Sequence, residues 1–107
     1  MAATPEAKVK AKVKAILQDY GAYHFFPIAT GMGRAGIPDI ICCVDGLFLA
    51  IECKAGKGKV TLLQGRELMA IKAAGGCAVV VNEESLPQLP TLLETLKKCA
   101  KTIRLDG

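Results

Sequence analysis

Apolar side chains recur at helical spacing between residues 9 and 20, which predicts an amphipathic helix near the start of the chain. Thr4 suits the N-cap and Pro5 the first helical position, and Gly21 suits the residue after the helix. Residues 22–28 form a short apolar and aromatic run that predicts a strand, which Pro27 restricts to an edge or a bulge.

Two apolar runs, residues 40–44 and 47–51, flank the dipeptide Asp45-Gly46. Asp-Gly is among the strongest hairpin signals, because glycine tolerates the positive φ that a primed turn requires. Since both runs are apolar and partly β-branched, they are typical of buried strands. The pattern therefore predicts two antiparallel strands joined by a two-residue turn.

That hairpin register places Asp39 opposite Glu52, and paired antiparallel residues point to the same face of a sheet. Two carboxylates this close repel each other, and a divalent cation removes the repulsion. Lys54 follows Glu52 by two residues and so shares its face. A solvated ion cluster at the strand ends is the simpler explanation of such a trio. The Pro38-Asp39 entry and the apolar surroundings favour a site for phosphodiester hydrolysis instead.

The second half of the chain predicts a helix, a strand and another helix. Thr61 and Gln64 form a capping box that begins the first of these, and Gly75-Gly76 ends it. Residues 77–81 predict a buried strand, parallel to the strand before the helix because a helix connects the two. Residues 85–100 predict the last helix, with possible interruptions at two prolines.

Residues 102–105 predict a short edge strand after that helix. The element order before it is α-β-β-β-α-β-α. We therefore predict the α/β class, with a small mixed β-sheet flanked by helices on both faces.

Length and composition fit one cytoplasmic domain that covers residues 1–107. The formal net charge of +4 fits a polyanionic partner without requiring one. No apolar run is long enough for a membrane span, and the lysine-rich start lacks the apolar segment of a secretory signal. The 5 cysteines are an odd number with no C-x-x-C spacing, so we expect reduced thiols.

Basic residues occur in three places that could face a nucleic-acid backbone. Lys8 and Lys12 lie on the polar faces of the first helix, where a solvated surface is an equally good explanation. Lys57 and Lys59 lie in a glycine-rich loop after Lys54, which could also be an ordinary turn. Arg34 lies in the loop before Asp39, where it could bind a phosphate.

The loop from Gly31 to Gly36 matches G-x-G-x-x-G by letter. A dinucleotide site requires a helix directly after those glycines, so that its N-terminus meets the pyrophosphate. Pro38 and an extended apolar run follow instead. We therefore reject a nucleotide-binding regulator and interpret the segment as a flexible loop beside the site.

These residues, taken in order, resemble a known family. Pro38-Asp39 followed by Glu52-Cys53-Lys54 is similar to the motif of PD-(D/E)XK nucleases. The wider context resembles the VRR-NUC branch of that superfamily over roughly residues 4–84. This context consists of an acid in the first helix, Gly-Ile-Pro-Asp, Asp-Gly-x-Phe, Ile-Glu-x-Lys, a basic glycine loop, a glutamine at the next helix start and Ala-Ala-Gly-Gly.

The resemblance implies a role for each matching position. Asp39 and Glu52 would bind the metal, Mg²⁺ or Mn²⁺, and the main-chain carbonyl of Cys53 would complete its shell. Lys54 would orient or activate the attacking water. The family's glutamine beside the site corresponds to Gln64, and its supporting helical acid corresponds to Glu6, although capping and the helix dipole already account for both.

The resemblance further implies a restriction-endonuclease-like fold and a structure-selective DNA endonuclease. Family members that consist of the nuclease domain alone look like phage-type proteins that act as homodimers on branched DNA, such as four-way (Holliday) junctions. The alternative is a nucleic-acid-binding module that keeps the fold without turnover. Intact Asp39, Glu52 and Lys54 favour catalysis over that alternative.

Overall fold

The computed structural model describes residues 3–28 and 33–103, and the side chains of residues 3–28 and 33–100. The predicted order of elements is confirmed, with one short 3₁₀ turn added before the last helix. The elements are α1 (Pro5–Asp19), β1 (Tyr23–Phe25), β2 (Ile40–Val44), β3 (Leu47–Cys53), α2 (Leu62–Ala73), β4 (Cys77–Val81), the 3₁₀ turn (Leu86–Gln88) and α3 (Leu89–Ile103).

The four strands form one mixed sheet in the order β1-β2-β3-β4. The β1–β2 and β2–β3 pairs are antiparallel, whereas β4 is parallel to β3, as the intervening helix predicts. The hairpin register is confirmed from the Val44–Leu47 pair to the Ile40–Ile51 pair. Asp45 at φ 51° and Gly46 at φ 92° form the turn, and positive φ at both positions is the type I′ geometry.

Helices cover both faces of the sheet, as predicted. α1 and α3 pack on one face over the main core, to which Val13, Leu17 and Leu93 contribute fully buried side chains. α2 packs on the other face over a smaller cluster that contains Ala50 and Leu68. Because side chains alternate along a strand, Glu52 points to the α2 face while its neighbours Ile51 and Cys53 point into the main core.

The sequence interpretation is wrong at the last predicted strand. Thr102 and Ile103 continue α3 instead of forming an edge strand, and residue 105 lies outside the described residues. β1 is also shorter than predicted and stops before Pro27, which has no N–H to donate to a ladder. Gly31, in the loop that we interpreted as flexible, lies outside the described residues.

Candidate active site

Asp39 lies at the end of the β2–β3 hairpin that is away from the turn. Its Oδ2 accepts a hydrogen bond of 2.8 Å from the backbone N–H of Cys53, which extends the ladder by one side-chain contact. Its Oδ1 lies 3.3 Å from Nζ of Lys10 on α1. The carboxylate is therefore held at a defined position, while 20% of the Asp39 side chain stays exposed.

Glu52 lies beside Asp39, and only 2% of its surface is exposed. Its Oε2 accepts a 3.1 Å hydrogen bond from Nε2 of Gln64 and lies 3.7 Å from Nζ of Lys54. Its Oε1 is buried without a partner, and no other buried side-chain nitrogen or oxygen in the described ranges lacks one. An unpartnered buried carboxylate oxygen is costly and requires an explanation.

The surroundings of Glu52 raise its pKa to about 7. Burial is the largest cause, and the adjacent Asp39 carboxyl group adds to it, whereas the positive charge of Lys54 lowers the pKa. The two carboxyl groups therefore face each other as predicted, and at neutral pH the pair resists carrying two charges. A cation between them would allow both to ionise.

Lys54 and Glu6 line one side of an open groove of about 590 Å³ next to this pair. Lys54 follows the last residue of β3, and 13% of its side chain is exposed. Glu6 lies in the first turn of α1 and contributes to the negative potential at Glu52. The N-terminal turn of α1 therefore brings a third acid near the strand ends.

Gln64 serves the helix cap and the site together. The capping box is confirmed, because the Gln64 N–H donates to Thr61 Oγ1 at 3.2 Å and Gln64 Oε1 accepts from the Thr61 N–H at 2.9 Å. Since Oε1 is engaged by the cap, the amide NH₂ is left to face Glu52. Gln64 therefore caps α2 and contacts Glu52 at the same time. In the sequence, capping alone was enough to account for this residue.

Gly36 holds the segment before Asp39 against the start of α2. Its φ is +84°, and a Cβ atom there would lie 2.6 Å from the carbonyl carbon of Leu63 and 2.8 Å from the N atom of Gln64. Such distances exclude any side chain unless the backbone shifts. Glycine at this position therefore sets the spacing between the two segments that carry Asp39 and Gln64.

Lys10 is the site residue that sequence reasoning did not single out from the other α1 lysines. Its Nζ lies 3.3 Å from Asp39 Oδ1 and 3.9 Å from Glu6 Oε2. Burial lowers the pKa of Lys10, but the charges of Asp39 and Glu6 together with the Asp39 hydrogen bond more than offset this, so the pKa is raised. The available signal was the i, i+4 spacing from Glu6 on a helical face.

The acids fit a hard divalent cation that completes its shell with water and phosphate. No group of three or more His, Cys, Asp or Glu side chains in residues 3–28 and 33–100 is arranged to hold a metal by itself. Mg²⁺, however, is typically bound by one or two carboxylates, with waters and substrate phosphates as the other ligands. The free Oε1 of Glu52, beside a second acid, is the expected feature of such a site.

Cys53 contributes its backbone to this region. Its thiol is fully buried in the main core, and burial raises the thiol pKa to about 12. The thiol is therefore neither a metal ligand nor a nucleophile in this environment. Only the main chain of Cys53 remains to act at the site.

The predicted DNA-contacting lysines lie on exposed surfaces. Lys8 and Lys12 line a smaller groove of about 180 Å³ on α1, and Lys57 and Lys59 are exposed in the glycine loop. That loop is an ordered turn, in which the Gly58 N–H donates to the Ala55 carbonyl at 2.9 Å. Its Gly56 N–H also donates to Glu83 Oε1 at 2.9 Å.

Arg34 is placed differently from the lysines. Its guanidinium lies 3.4 Å from Oε1 of Glu67 on α2, although 79% of its side chain is exposed. The Glu67 side chain is only 18% exposed, but the exposed guanidinium is free to exchange this carboxylate for a phosphate.

No protein-family model matches the sequence, and no curated protein matches it. The chain does share its fold with two solved structures. One is described as a VRR_NUC domain, with a TM-score of 0.67 and 22% identity over 90% of this chain and 97% of that one. The other is Hjc of Archaeoglobus fulgidus, a Holliday junction resolvase from an archaeal hyperthermophile, with a TM-score of 0.56 and 20% identity over 70% of this chain and 65% of that one.

The molecule thus has a restriction-endonuclease-like fold, in which a four-stranded mixed sheet lies between helices. Within that class, its fold is similar to that of a solved VRR_NUC domain. The resemblance inferred from the motifs is confirmed at the level of the fold. No helix within the described ranges is long and apolar enough to cross a bilayer.

Proposed function

We propose that this protein is a Mg²⁺- or Mn²⁺-dependent endodeoxyribonuclease that cleaves branched DNA, such as four-way junctions. One observation carries the proposal: the buried Glu52 carboxylate faces Asp39 and keeps one oxygen without a partner. A structural ion pair would satisfy both oxygens, whereas a metal ligand must keep one available. The two solved structures that share the fold, one of them a Holliday junction resolvase, support the same class of reaction.

In this proposal Asp39, Glu52 and the main-chain carbonyl of Cys53 hold the cation. The bound ion would supply Lewis-acid polarisation of the phosphoryl oxygen and a lower pKa for the attacking water. Gln64 fixes the orientation of Glu52 through its Nε2, as residues behind metal ligands do. Glu6 adds negative charge that favours the cation.

Lys54 would act on the attacking water from the edge of the groove. Its ammonium lies 3.7 Å from Glu52 Oε2, where it can orient water and face a phosphate. Alternatively, Lys54 would activate the attacking water itself, as the resemblance to the family implies. Both roles require the side-chain nitrogen at this position.

The DNA backbone would follow the basic surfaces beside the groove. Lys8 and Lys12 would contact it from α1, and Lys57 and Lys59 from the glycine loop. Arg34 would exchange Glu67 for a phosphate. Each such contact releases counterions, so binding would weaken as salt is added.

We further propose that the protein acts as a homodimer, because resolving a four-way junction requires two symmetric cuts. An exposed apolar row on the α2 face of the sheet supports this. The strand registers place Tyr23, Cys43 and Phe48 side by side, and all three are exposed. Clusters of this kind are typical of protein interfaces. We expect a phage- or bacterium-encoded protein acting in the host cytoplasm.

One observation favours the alternative of a binding module without turnover. Asp39 already has a structural role, because its Oδ2 caps the Cys53 N–H at the end of the ladder. An aspartate would therefore be useful here even without catalysis. The buried Glu52 has no comparable structural role that would engage its Oε1.

The test is incubation with labelled linear, flapped and four-way DNA in Mg²⁺, Mn²⁺ or EDTA. We expect cleavage of the branched substrates with either metal and none in EDTA. Binding to all substrates without cleavage under any condition would establish the non-catalytic module. Equal cleavage of linear and branched DNA would remove the proposed selectivity but keep the nuclease.

A further inference from the structure

The Lys10 ammonium lies where a metal ion would approach Asp39. Its Nζ lies 3.3 Å from Oδ1 of Asp39 and 3.9 Å from Oε2 of Glu6. Oδ2 of Asp39 is already engaged by the Cys53 N–H at 2.8 Å. Oδ1 is therefore the oxygen that remains for a metal ion, and Lys10 is in contact with it.

We propose that Lys10 is an internal counter-cation that competes with the divalent metal for Asp39. Without metal, its ammonium balances the acids at the strand ends. When the metal binds, the ammonium leaves Oδ1, and the metal affinity is reduced by the free energy needed to break the Lys10–Asp39 ion pair. The proposal rests on the proposed function only in taking Asp39 and Glu52 as the metal-binding acids.

The position of Lys10 makes such displacement feasible. About 33% of its side chain is exposed, and its flexible stem projects from a helix, so the ammonium can move to solvent without disturbing the backbone. Lys54 differs, because its side chain is only 13% exposed and it lies next to Glu52 on the same segment of chain. We therefore expect the metal to displace Lys10 and to leave Lys54 in place.

The Lys10 ammonium also explains how the metal-free protein accommodates three acids close together. Asp39, Glu52 and Glu6 repel one another, and each adds to the electrostatic strain on the metal-free protein. An ammonium supplied by the chain itself relieves this strain at Asp39 and Glu6. The Lys10 ammonium contacts Asp39 and Glu6, while the buried Oε1 of Glu52 keeps no partner and is available to the metal.

The inference is tested by Mn²⁺ binding to the full-length protein in the absence of DNA, with free Mn²⁺ followed by its EPR signal. Lys10→Met keeps the stem and removes the charge, and we expect it to bind Mn²⁺ roughly threefold to fivefold more tightly than the unmodified protein. Lys14→Met is the matched control: it removes the same charge from an exposed position on α1, and we expect a change below about twofold. Lys10→Arg restores a competing cation and should bind as weakly as the unmodified protein.

A second readout covers the metal-free state. With EDTA present, Lys10→Met should melt at a lower temperature than Lys14→Met, and adding Mn²⁺ should raise its melting temperature more. Equal Mn²⁺ affinity in Lys10→Met and Lys14→Met would overturn the inference, as would weaker binding in Lys10→Met.

The outcome is separable from that of the nuclease proposal. Tighter Mn²⁺ binding by Lys10→Met in a protein that cuts no DNA would support the counter-cation and refute the nuclease. Cleavage of branched DNA with unchanged Mn²⁺ affinity in Lys10→Met would do the reverse. Mn²⁺ binding that Glu52→Gln leaves unchanged would overturn the metal site, and the counter-cation with it.

Discussion

The two ends of the β2–β3 hairpin carry the same kind of ion pair in different settings. At the turn end, Asp45 lies 3.4 Å from Lys97 of α3, and each side chain is 32% exposed. At the opposite end, Asp39 lies 3.3 Å from Lys10 of α1 with similar exposure. The distances and charges alone do not distinguish a surface pair from an active site.

The difference lies in what is beneath each pair. Under Asp39 lies a second carboxylate, Glu52, which is buried, has a raised pKa and keeps one oxygen without a partner. The turn end has no buried acid among the described residues. The comparison indicates that an unsatisfied buried carboxylate identifies the functional end, and that lysine–aspartate pairing does not.

The largest expected effect is a loss of DNA cleavage that occurs only for substitutions at the Asp39 end of the hairpin. Asp39→Asn and Glu52→Gln should each reduce cleavage of branched DNA by about 1,000-fold or more, because metal ligands supply several kcal/mol to the transition state. Asp45→Asn, at the turn end, should cleave normally, since asparagine tolerates the positive φ of 51° there. Folding and DNA binding of all three variants are checked by circular dichroism and by gel shift in EDTA. Full activity in the first two would dismiss the site.

A smaller effect is expected from the residue behind Glu52. Gln64→Ala should lower the cleavage rate by roughly 10- to 100-fold, because the amide would no longer orient the Glu52 carboxylate. Thr61→Ala is the control: it removes the cap hydroxyl, at about 1 kcal/mol of stability, but keeps the Nε2–Glu52 contact. Rates are compared at saturating metal. Equal losses of cleavage rate in Gln64→Ala and Thr61→Ala would mean that Gln64 acts only as a helix cap.

The raised pKa of Glu52 predicts how stability changes with pH. The folded protein binds the Glu52 proton up to pH of about 7, whereas the unfolded chain releases it near pH 4.3. Between these values the folded state holds more protons, so this group makes stability fall as pH rises, by about 1–3 kcal/mol, with no further decrease above pH of about 7.

Urea unfolding at pH 5 and pH 8 in EDTA measures this contribution. Glu52→Gln should lose most of the dependence, and Asp45→Asn should keep it. Added Mg²⁺ should stabilise the unmodified protein more at pH 8 than at pH 5, because the metal requires the ionised acid. A dependence that survives in Glu52→Gln would mean that other groups cause it.

The smallest expected effect concerns DNA binding. Replacing Lys57 and Lys59 with glutamine should lower the slope of log affinity against log salt by about 2, one unit for each phosphate that is no longer neutralised. Lys97→Gln, which changes the charge at the turn end, should leave the slope unchanged. Fluorescence anisotropy in EDTA gives both slopes. An unchanged slope in the double variant would identify the glycine loop as an ordinary turn.

Sequence reasoning was most successful where local rules determine the structure. The Asp45-Gly46 dipeptide was enough to predict the turn type and every pair of the hairpin, and hence the meeting of Asp39 with Glu52. The Thr61–Gln64 capping box and the parallel pairing of β3 with β4 follow from equally local signals.

The remaining features depend on tertiary packing. Thr102 and Ile103 are β-branched and favour a strand, but they continue a helix whose Leu89, Leu93 and Ala100 pack on the core. Lys10 could not be separated from its neighbours, because only the path of α1 across the strand ends decides which lysine reaches Asp39. The burial of Glu52 Oε1 depends on how α2 packs against the sheet.

The close backbone contact at Gly36 couples the position of the segment before β2 to the position of α2. Because the backbone there touches the start of α2, a larger residue at position 36 would push the strand entry and the helix apart in one movement. Asp39 and Gln64 would then be displaced together, although neither had been altered. Position 36 carries no chemistry of its own, yet the alignment of the acids with their supporting amide depends on the absence of a single carbon atom.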